Sequence, residues 1–300
     1  MILVTGATGE SGAAVIGEFV RRQLPVRALV RDHARVGGDV PANVEVVEGD
    51  MADSETLGDA LAGVQKVLLI STADPDLVRT QSSFIDSAVN AGVRHIVKFS
   101  GMGCWNDAEF RFARMHAEVE EYLEKSGAAW THLRPSTFMS DYFREAHAIS
   151  AEGVLALPMG DARIAPVDTE DIAKVAVSLL HSGGHEGKRY EMTGPEALTV
   201  DQVAATISLA AGKSVRYVDI DPAEKTRAML DAGVPAYFAD AMEELFSQRR
   251  RGADESRVNL STHRKFGVRP TTFAEFARRN ASVFRGEKTA SNPSKFGWRS

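Results

Sequence analysis

The chain opens Met1-Ile-Leu-Val-Thr-Gly-Ala-Thr-Gly-Glu-Ser-Gly12, and this dozen constrains everything after it. The apolar run from residue 2 to residue 4 is long enough for one buried strand. It passes directly into Gly6, Gly9 and Gly12, then into an amphipathic stretch over residues 13 to 22. A strand, a glycine turn and a helix start without a gap aim a helix N-terminus, with its unpaired N–H groups, at a phosphate. Gly6 permits the tight turn, Gly9 the close approach of backbone to a pyrophosphate, and Gly12 the packing of helix on strand. Thr8, Glu10 and Ser11 are the other expected cofactor-binding positions of this loop.

The same rhythm continues. Apolar runs at 26–30, 44–47, 67–70, 95–99 and 130–133 alternate with helical patterns at 54–61, 75–90 and 108–125, with Ser54 as expected N-cap of the first. Such alternation implies βαβ units and a parallel sheet, an α/β Rossmann fold of the doubly wound type. From residue 137 the rhythm loosens. Helices are expected over 138–149, 172–180, 200–211, 222–232, 235–249 and 272–284, a hairpin-like stretch over 153–159, and strands at 190–192 and 215–218. No linker is visible. The expected organisation is an NAD(P)-binding core over 1–150 and a smaller, interleaved substrate lobe over 151–285. A polar tail over 286–300 is expected to be disordered, with Phe296 and Trp298 as its only docking candidates.

A net charge of −6 argues against a nucleic-acid surface, which needs a basic face. No apolar stretch approaches bilayer length, and a strand starting at residue 2 leaves no room for a signal peptide. The single cysteine, Cys104, cannot form an internal disulfide. A cytoplasmic protein, monomer or homodimer, without nucleic-acid or membrane partners is expected. The histidines and Cys104 lack metal-ligand spacing, so no metal is expected.

Ligands of open parallel sheets bind beyond the C-terminal strand ends, and the residue after strand two discriminates the nicotinamide cofactors. Here it is Arg31, whose guanidinium suits a 2′-phosphate, followed by Asp32, which suits a free 2′-hydroxyl. NADPH is expected, with NADH as the weaker alternative.

The stretch Gly6-Ala-Thr-Gly-Glu-Ser-Gly12 resembles the GATGxxG signature of the extended and atypical short-chain dehydrogenases. Arg27-Ala-Leu-Val-Arg31, Val47-Glu-Gly-Asp50-Met51 and Leu133-Arg-Pro135 with Phe138 are similar to that family's later landmarks. To about residue 285 the chain resembles the NmrA-like branch most. That branch includes quinone, azo-dye and triphenylmethane-dye reductases as well as catalytically inert NADP-sensing regulators. The resemblance implies Asp50 and Met51 at the adenine, and Ser71 and Thr72 by the adenine-side ribose and pyrophosphate. It implies Pro135 and Phe138 near the nicotinamide, with Ser100 and Gly101 at the end of strand five as further cofactor contacts.

One departure bears on the chemistry. Typical members carry Tyr-x-x-x-Lys on the helix after strand five, the tyrosine acting as acid/base. Here Phe112 aligns with the tyrosine and His116 with the lysine. Phe112 donates no proton, so alcohol–ketone chemistry is not expected. His116 is left either to hydrogen-bond the nicotinamide ribose or to donate a proton, with Tyr142 as another candidate donor. The expectation is an NADPH-dependent reductase passing hydride to a conjugated, electron-poor acceptor. Its pocket would be walled by Met102, Trp105, Phe138, Met139, Tyr142 and Met159. The alternative is a non-catalytic NADP(H)-sensing regulator with a protein partner. A third option, an isomerase or dehydratase with tightly held NAD, is weakened by Arg31 and by the missing tyrosine.

Overall fold

In the computed structural model, which describes residues 1–36, 38–252 and 254–288, successive strand residues point into two different apolar layers. Strands β1 (Ile2–Val4), β2 (Val26–Val30), β3 (Val44–Glu48), β4 (Lys66–Leu69), β5 (His95–Phe99) and β6 (Ala129–Pro135) lie in one sheet. Of the later strands, β7 (Val154–Leu157) pairs with β9 (Arg216–Asp219), while β8 (Lys188–Met192) joins the large sheet. The seven strands are parallel, in the order β3-β2-β1-β4-β5-β6-β8. Val4, Leu68 and Val97 enter one layer, whereas Leu3, Val67, Leu69 and Ile96 enter the other.

The first layer is covered by α1 (Glu10–Arg21) together with a helix from the second half. The second layer is covered by the short α2 (Gly58–Leu61) and by α3 (Leu77–Asn90) and α4 (Arg111–Lys125). The later helices are α5 (Ala146–Glu152), α6 (Thr169–His181), α7 (Val200–Ala211), α8 (Pro222–Asp231), α9 (Ala236–Arg250), α10 (Ser261–Phe266), α11 (Phe273–Arg279) and α12 (Ala281–Phe284). It is α6 that packs on α1. The second half is therefore interleaved with the sheet, as β8 and α6 both show. A third apolar cluster gathers Ile149, Leu155, Val203, Ile207, Phe273 and Phe284 around β7 and β9.

Several local expectations need correction. The stretch at 153–159 is not a hairpin. Gly153, in left-handed backbone at φ +65°, closes α5, and the chain leaves as β7 to pair in parallel with β9. The helix expected over 138–149 is a 3₁₀ segment at Met139–Glu145 followed by α5. Asp53 rather than Ser54 accepts the capping N–H, from Glu55. Helix 272–284 is broken at Asn280, and α10 had no sequence signal strong enough to be read. Residues 286–288 continue in a hydrogen-bonded turn, while 289–300, with Phe296 and Trp298, lie outside the described residues. Among the described residues no helix is long and apolar enough to cross a membrane.

The chain winds from β1 outward to β3, returns to β4 beside β1, and then proceeds the other way. That reversal opens the crevice in which open α/β sheets hold ligands.

Candidate active site

The start of α1 is shaped to face a ligand. Gly6 has φ +58°, and a Cβ there would stand 3.0 Å from the Ile70 carbonyl oxygen. Gly9 N–H donates to Gly6 O at 2.9 Å and Ala13 N–H to Gly9 O at 2.8 Å, so helical bonding begins at Gly9. Gly9 is exposed and no side chain caps the helix, which leaves the first N–H groups of α1 without a partner of their own among the described residues. A Cβ on Gly12 would overlap the Gly6 carbonyl oxygen and lie 2.9 Å from the Ala7 Cα. The cradle fits a pyrophosphate. Thr5, which sequence reasoning missed, braces it. Its Oγ1 donates to Ile70 O at 2.6 Å and accepts from Ile70 N at 2.7 Å, tying the ends of β1 and β4 together.

Thr8 and Ser11 are half-buried beside this turn. Glu10 has side-chain partners of its own. Its carboxylate accepts hydrogen bonds from Ser140 and, at 3.3 Å, from Thr169, so it ties α1 to the second half of the chain. Burial pushes its carboxyl above the usual range against the Ser140 hydrogen bond, which lowers it.

At the C-terminal end of β2, Arg31 is exposed, and no ion pair holds it among the described residues. Asp32 is occupied: its Oδ1 accepts from Ala34 N at 2.8 Å and caps a 3₁₀ turn. Asp50 Oδ1 accepts from Ala52 N at 2.9 Å, and Asp50 N–H donates to Thr56 Oγ1 at 2.9 Å. Met51 is buried in the second apolar layer. Ser71 Oγ accepts from Gln81 Nε2 at 2.7 Å, and Thr72 is exposed.

At the opposite side of the crevice the ends of β5 and β6 are stitched together. Ser100 N–H donates to Leu133 O at 2.8 Å and Met102 N–H to Pro135 O at 2.9 Å. Gly101 follows Ser100 at the strand end. Phe138 is partly exposed and meets Phe99 edge-on, with centroids 6.2 Å apart. The loop from 101 to 110 is held from below by a buried ion pair. Arg134 Nε donates to Glu120 Oε1 at 3.0 Å, its Nη2 donates to Glu120 Oε2 and, at 3.4 Å, to Cys104 O, and Trp105 lies 4.9 Å over the guanidinium. Trp105 is 55% exposed, so it remains available to a ligand. Burial raises the Cys104 thiol above its ordinary value, which leaves it protonated and inert.

The α4 positions are the most informative. Phe112, expected at the tyrosine position, is buried against Phe110, Tyr237 and Phe238 as an apolar plug. His116 Nδ1 lies 2.8 Å from Nζ of Lys98, a residue of β5 that sequence reasoning missed. Its signal was a lysine between the apolar residues of Ile96-Val-Lys-Phe99. Burial and then the Lys98 ammonium hold His116 well below its ordinary value, so the ring is neutral at pH 7.

Three expected pocket residues do not line an open surface. Met139, Tyr142 and Met159 are at most 4% exposed and belong to the third apolar cluster, where Tyr142 packs edge-on to Phe273. Burial also raises the Tyr142 hydroxyl far above its usual range. A sealed phenol of that kind is poorly suited to deliver a proton. Among the described residues one His/carboxylate grouping, Glu120, Glu124 and His132, comes together, but Arg134 and Arg189 occupy its carboxylates.

Against known proteins, the model of the NmrA-like family matches residues 1–277. The NAD(P)H azoreductase of Xenophilus azovorans is 39% identical over 285 residues, covering 95% of this chain and 99% of that protein. The (4-alkanoyl-5-oxo-2,5-dihydrofuran-3-yl)methyl phosphate reductase of Streptomyces griseus is 38% identical over 293 residues, covering 96% and 100%. The crystal structure of an Escherichia coli NADPH-dependent quinone oxidoreductase complexed with NADPH aligns with a TM-score of 0.81 at 30% identity, covering 93% and 99%. With a match of that extent, this chain belongs to the NmrA-like family.

Proposed function

We propose that the protein is an NADPH-dependent reductase that passes hydride to a conjugated, electron-poor acceptor such as a quinone or an azo compound. The observation that carries this reading is the pairing of a nucleotide cradle with Phe112 at the tyrosine position. A site without that phenol suits acceptors that take hydride directly, and conjugated systems do so because the incoming electron pair is delocalised. Relatives described as an azoreductase, a butenolide-type phosphate reductase and a quinone oxidoreductase support the same acceptor class. Bound NADPH supplies the hydride; the chain binds it, orients it and hands over a proton.

In this reading the N–H groups at the start of α1 bind the pyrophosphate, and Arg31 takes the 2′-phosphate. Phe138 and the loop bearing Met102 and Trp105 flank the nicotinamide and its acceptor, with the smaller lobe over 151–285 beside them. His116 is the proton donor. We place the protein in the cytoplasm, as a monomer or homodimer.

Arg31→Ala should raise the KM for NADPH about tenfold to a hundredfold, the range of one charge-assisted hydrogen bond of ~1.5–3 kcal/mol, and leave that for NADH unchanged. Equal losses with both cofactors would remove Arg31 from the phosphate site. Steady-state NADPH oxidation with a naphthoquinone, an azo dye and a triphenylmethane dye tests the activity itself. His116→Ala is expected to lower kcat by about 10²-fold while changing the KM for NADPH little. Tight NADPH binding with no oxidation by any acceptor would transfer the reading to a cofactor-sensing regulator.

A further inference from the structure

We infer that Lys98 is a positioning residue that holds His116 in its Nε2–H tautomer and replaces the proton His116 gives to the reduced acceptor, an inference that rests on the reductase reading above. Lys98 is the next-to-last residue of β5 and is completely buried. Its Nζ meets His116 Nδ1 at 2.8 Å and the Phe99 carbonyl at 3.3 Å. No carboxylate hydrogen-bonds it among the described residues, since Glu120 is taken up by Arg134. A buried ammonium without a hydrogen-bonded carboxylate is expensive, and an apolar side chain would fill this place in β5 at lower cost. His116, by contrast, is partly exposed. The pair therefore runs from the sealed interior of the sheet to a partly exposed position on α4.

An ammonium has only hydrogens to offer, so Nδ1 of His116 accepts and the ring proton sits on Nε2. That neutral ring is a very weak acid by itself. Coupled to Lys98 it becomes a conduit for a much stronger one. Burial, opposed by Cys104 and Glu120 and assisted by Arg134, brings the Lys98 ammonium down to about 8, near a working pH. After hydride has reached one end of the conjugated acceptor, an electron pair rests on its far oxygen or nitrogen. That atom bonds to the Nε2 proton as the Nε2–H bond breaks. Nδ1 takes a proton from Nζ, leaving a neutral amine, and one proton from water restores the pair. The groups facing Lys98 are His116 and Glu120 on α4, Cys104 on the following loop, and His132 and Arg134 on β6. Cys104 and His132 stay neutral at pH 7.

The test uses Lys98→Met and, should that variant fold poorly, Lys98→Gln. Nitrogen-15 NMR of the histidine rings in cofactor-free protein should show His116 as the Nε2–H tautomer in wild type. In the variant the tautomers should mix and the ring should titrate at a higher pH. In turnover with a naphthoquinone, wild-type kcat/KM should fall above pH ~8. Lys98→Met should lower kcat at least about tenfold and abolish that limb without altering the KM for NADPH. Adding Lys98→Met to His116→Ala should cost nothing further. An unchanged His116 tautomer and titration, or a loss that multiplies with that of His116→Ala, would overturn the inference. If wild type reduces no acceptor, the reductase reading falls and the proton replacement with it. The NMR measurement then decides by itself whether Lys98 sets the tautomer.

Discussion

Gly12→Ala is expected to destabilise the protein by about 2 kcal/mol or more and to abolish NADPH binding. In an open helix the same change would stabilise by ~0.8–1 kcal/mol, because alanine is the better helix former. The sign reverses here because the added methyl meets backbone rather than flexible side chain. It overlaps the Gly6 carbonyl oxygen, with the Gly6 carbonyl carbon at 2.8 Å and the Ala7 Cα at 2.9 Å. Neither can move without moving the turn, and α1 must lift away from it. The N–H groups that would hold the pyrophosphate move with the helix. Denaturant titration together with a fluorescence titration of NADPH measures both effects. Gly58→Ala is the control, since a Cβ there meets nothing within 4 Å. It should be neutral or stabilising by up to ~1 kcal/mol. Similar behaviour of the two variants would mean that α1 does not depend on close packing at Gly12.

The second large effect is expected at Glu120. Glu120→Ala should cost ~3–5 kcal/mol, because it strands the Arg134 guanidinium, only 4% exposed, without its carboxylate. The loss should reach the site, since Arg134 also holds the Cys104 carbonyl and underlies Trp105. Turnover is therefore expected to fall even under conditions where the variant remains folded. Replacing both partners, Glu120→Leu with Arg134→Met, should recover much of the stability without recovering activity. The pair also predicts an acid sensitivity. Burial alone would raise the Glu120 carboxyl, but the Arg134 hydrogen bonds, His132 and Ser100 bring it below its ordinary 4.5. A folded-state value below the unfolded one stabilises fully above about pH 4.5 and is lost as the pH falls through the folded value. Thermal melts of wild type and Glu120→Ala should therefore converge as the pH drops below that point. A constant gap would assign the stabilisation to packing rather than to charge.

What could be read in advance divides along a physical line. The glycine turn and the parallel sheet were legible because each rests on local spacing. Glycines at positions 6, 9 and 12, and apolar runs separated by helical periods, carry their meaning within a dozen residues. Lys98 with His116 and Glu120 with Arg134 were not legible. Their partners stand 18 and 14 residues apart on different elements, and only the packing of α4 against the sheet brings them together. Met139, Tyr142 and Met159 failed as pocket residues for a different reason. Aromatic and methionine side chains suit a ligand wall and a core equally well, and what decides is the cover that α7 and α11 provide. The contacts of the Glu10 carboxylate were not legible because its partners Ser140 and Thr169 come from the second half, where the sequence rhythm is weakest.

The most direct test of hydride transfer is a single-turnover experiment with NADPH deuterated on one face of C4 and a naphthoquinone as acceptor. The near-ultraviolet absorbance of the reduced nicotinamide should disappear in a one-to-one ratio with quinone. One of the two deuterated epimers should react more slowly and lose its label from the nicotinamide, while the other should retain it. Stable absorbance in the presence of the quinone, with NADPH tightly bound, would contradict a reductase and leave a protein that senses the cofactor without consuming it.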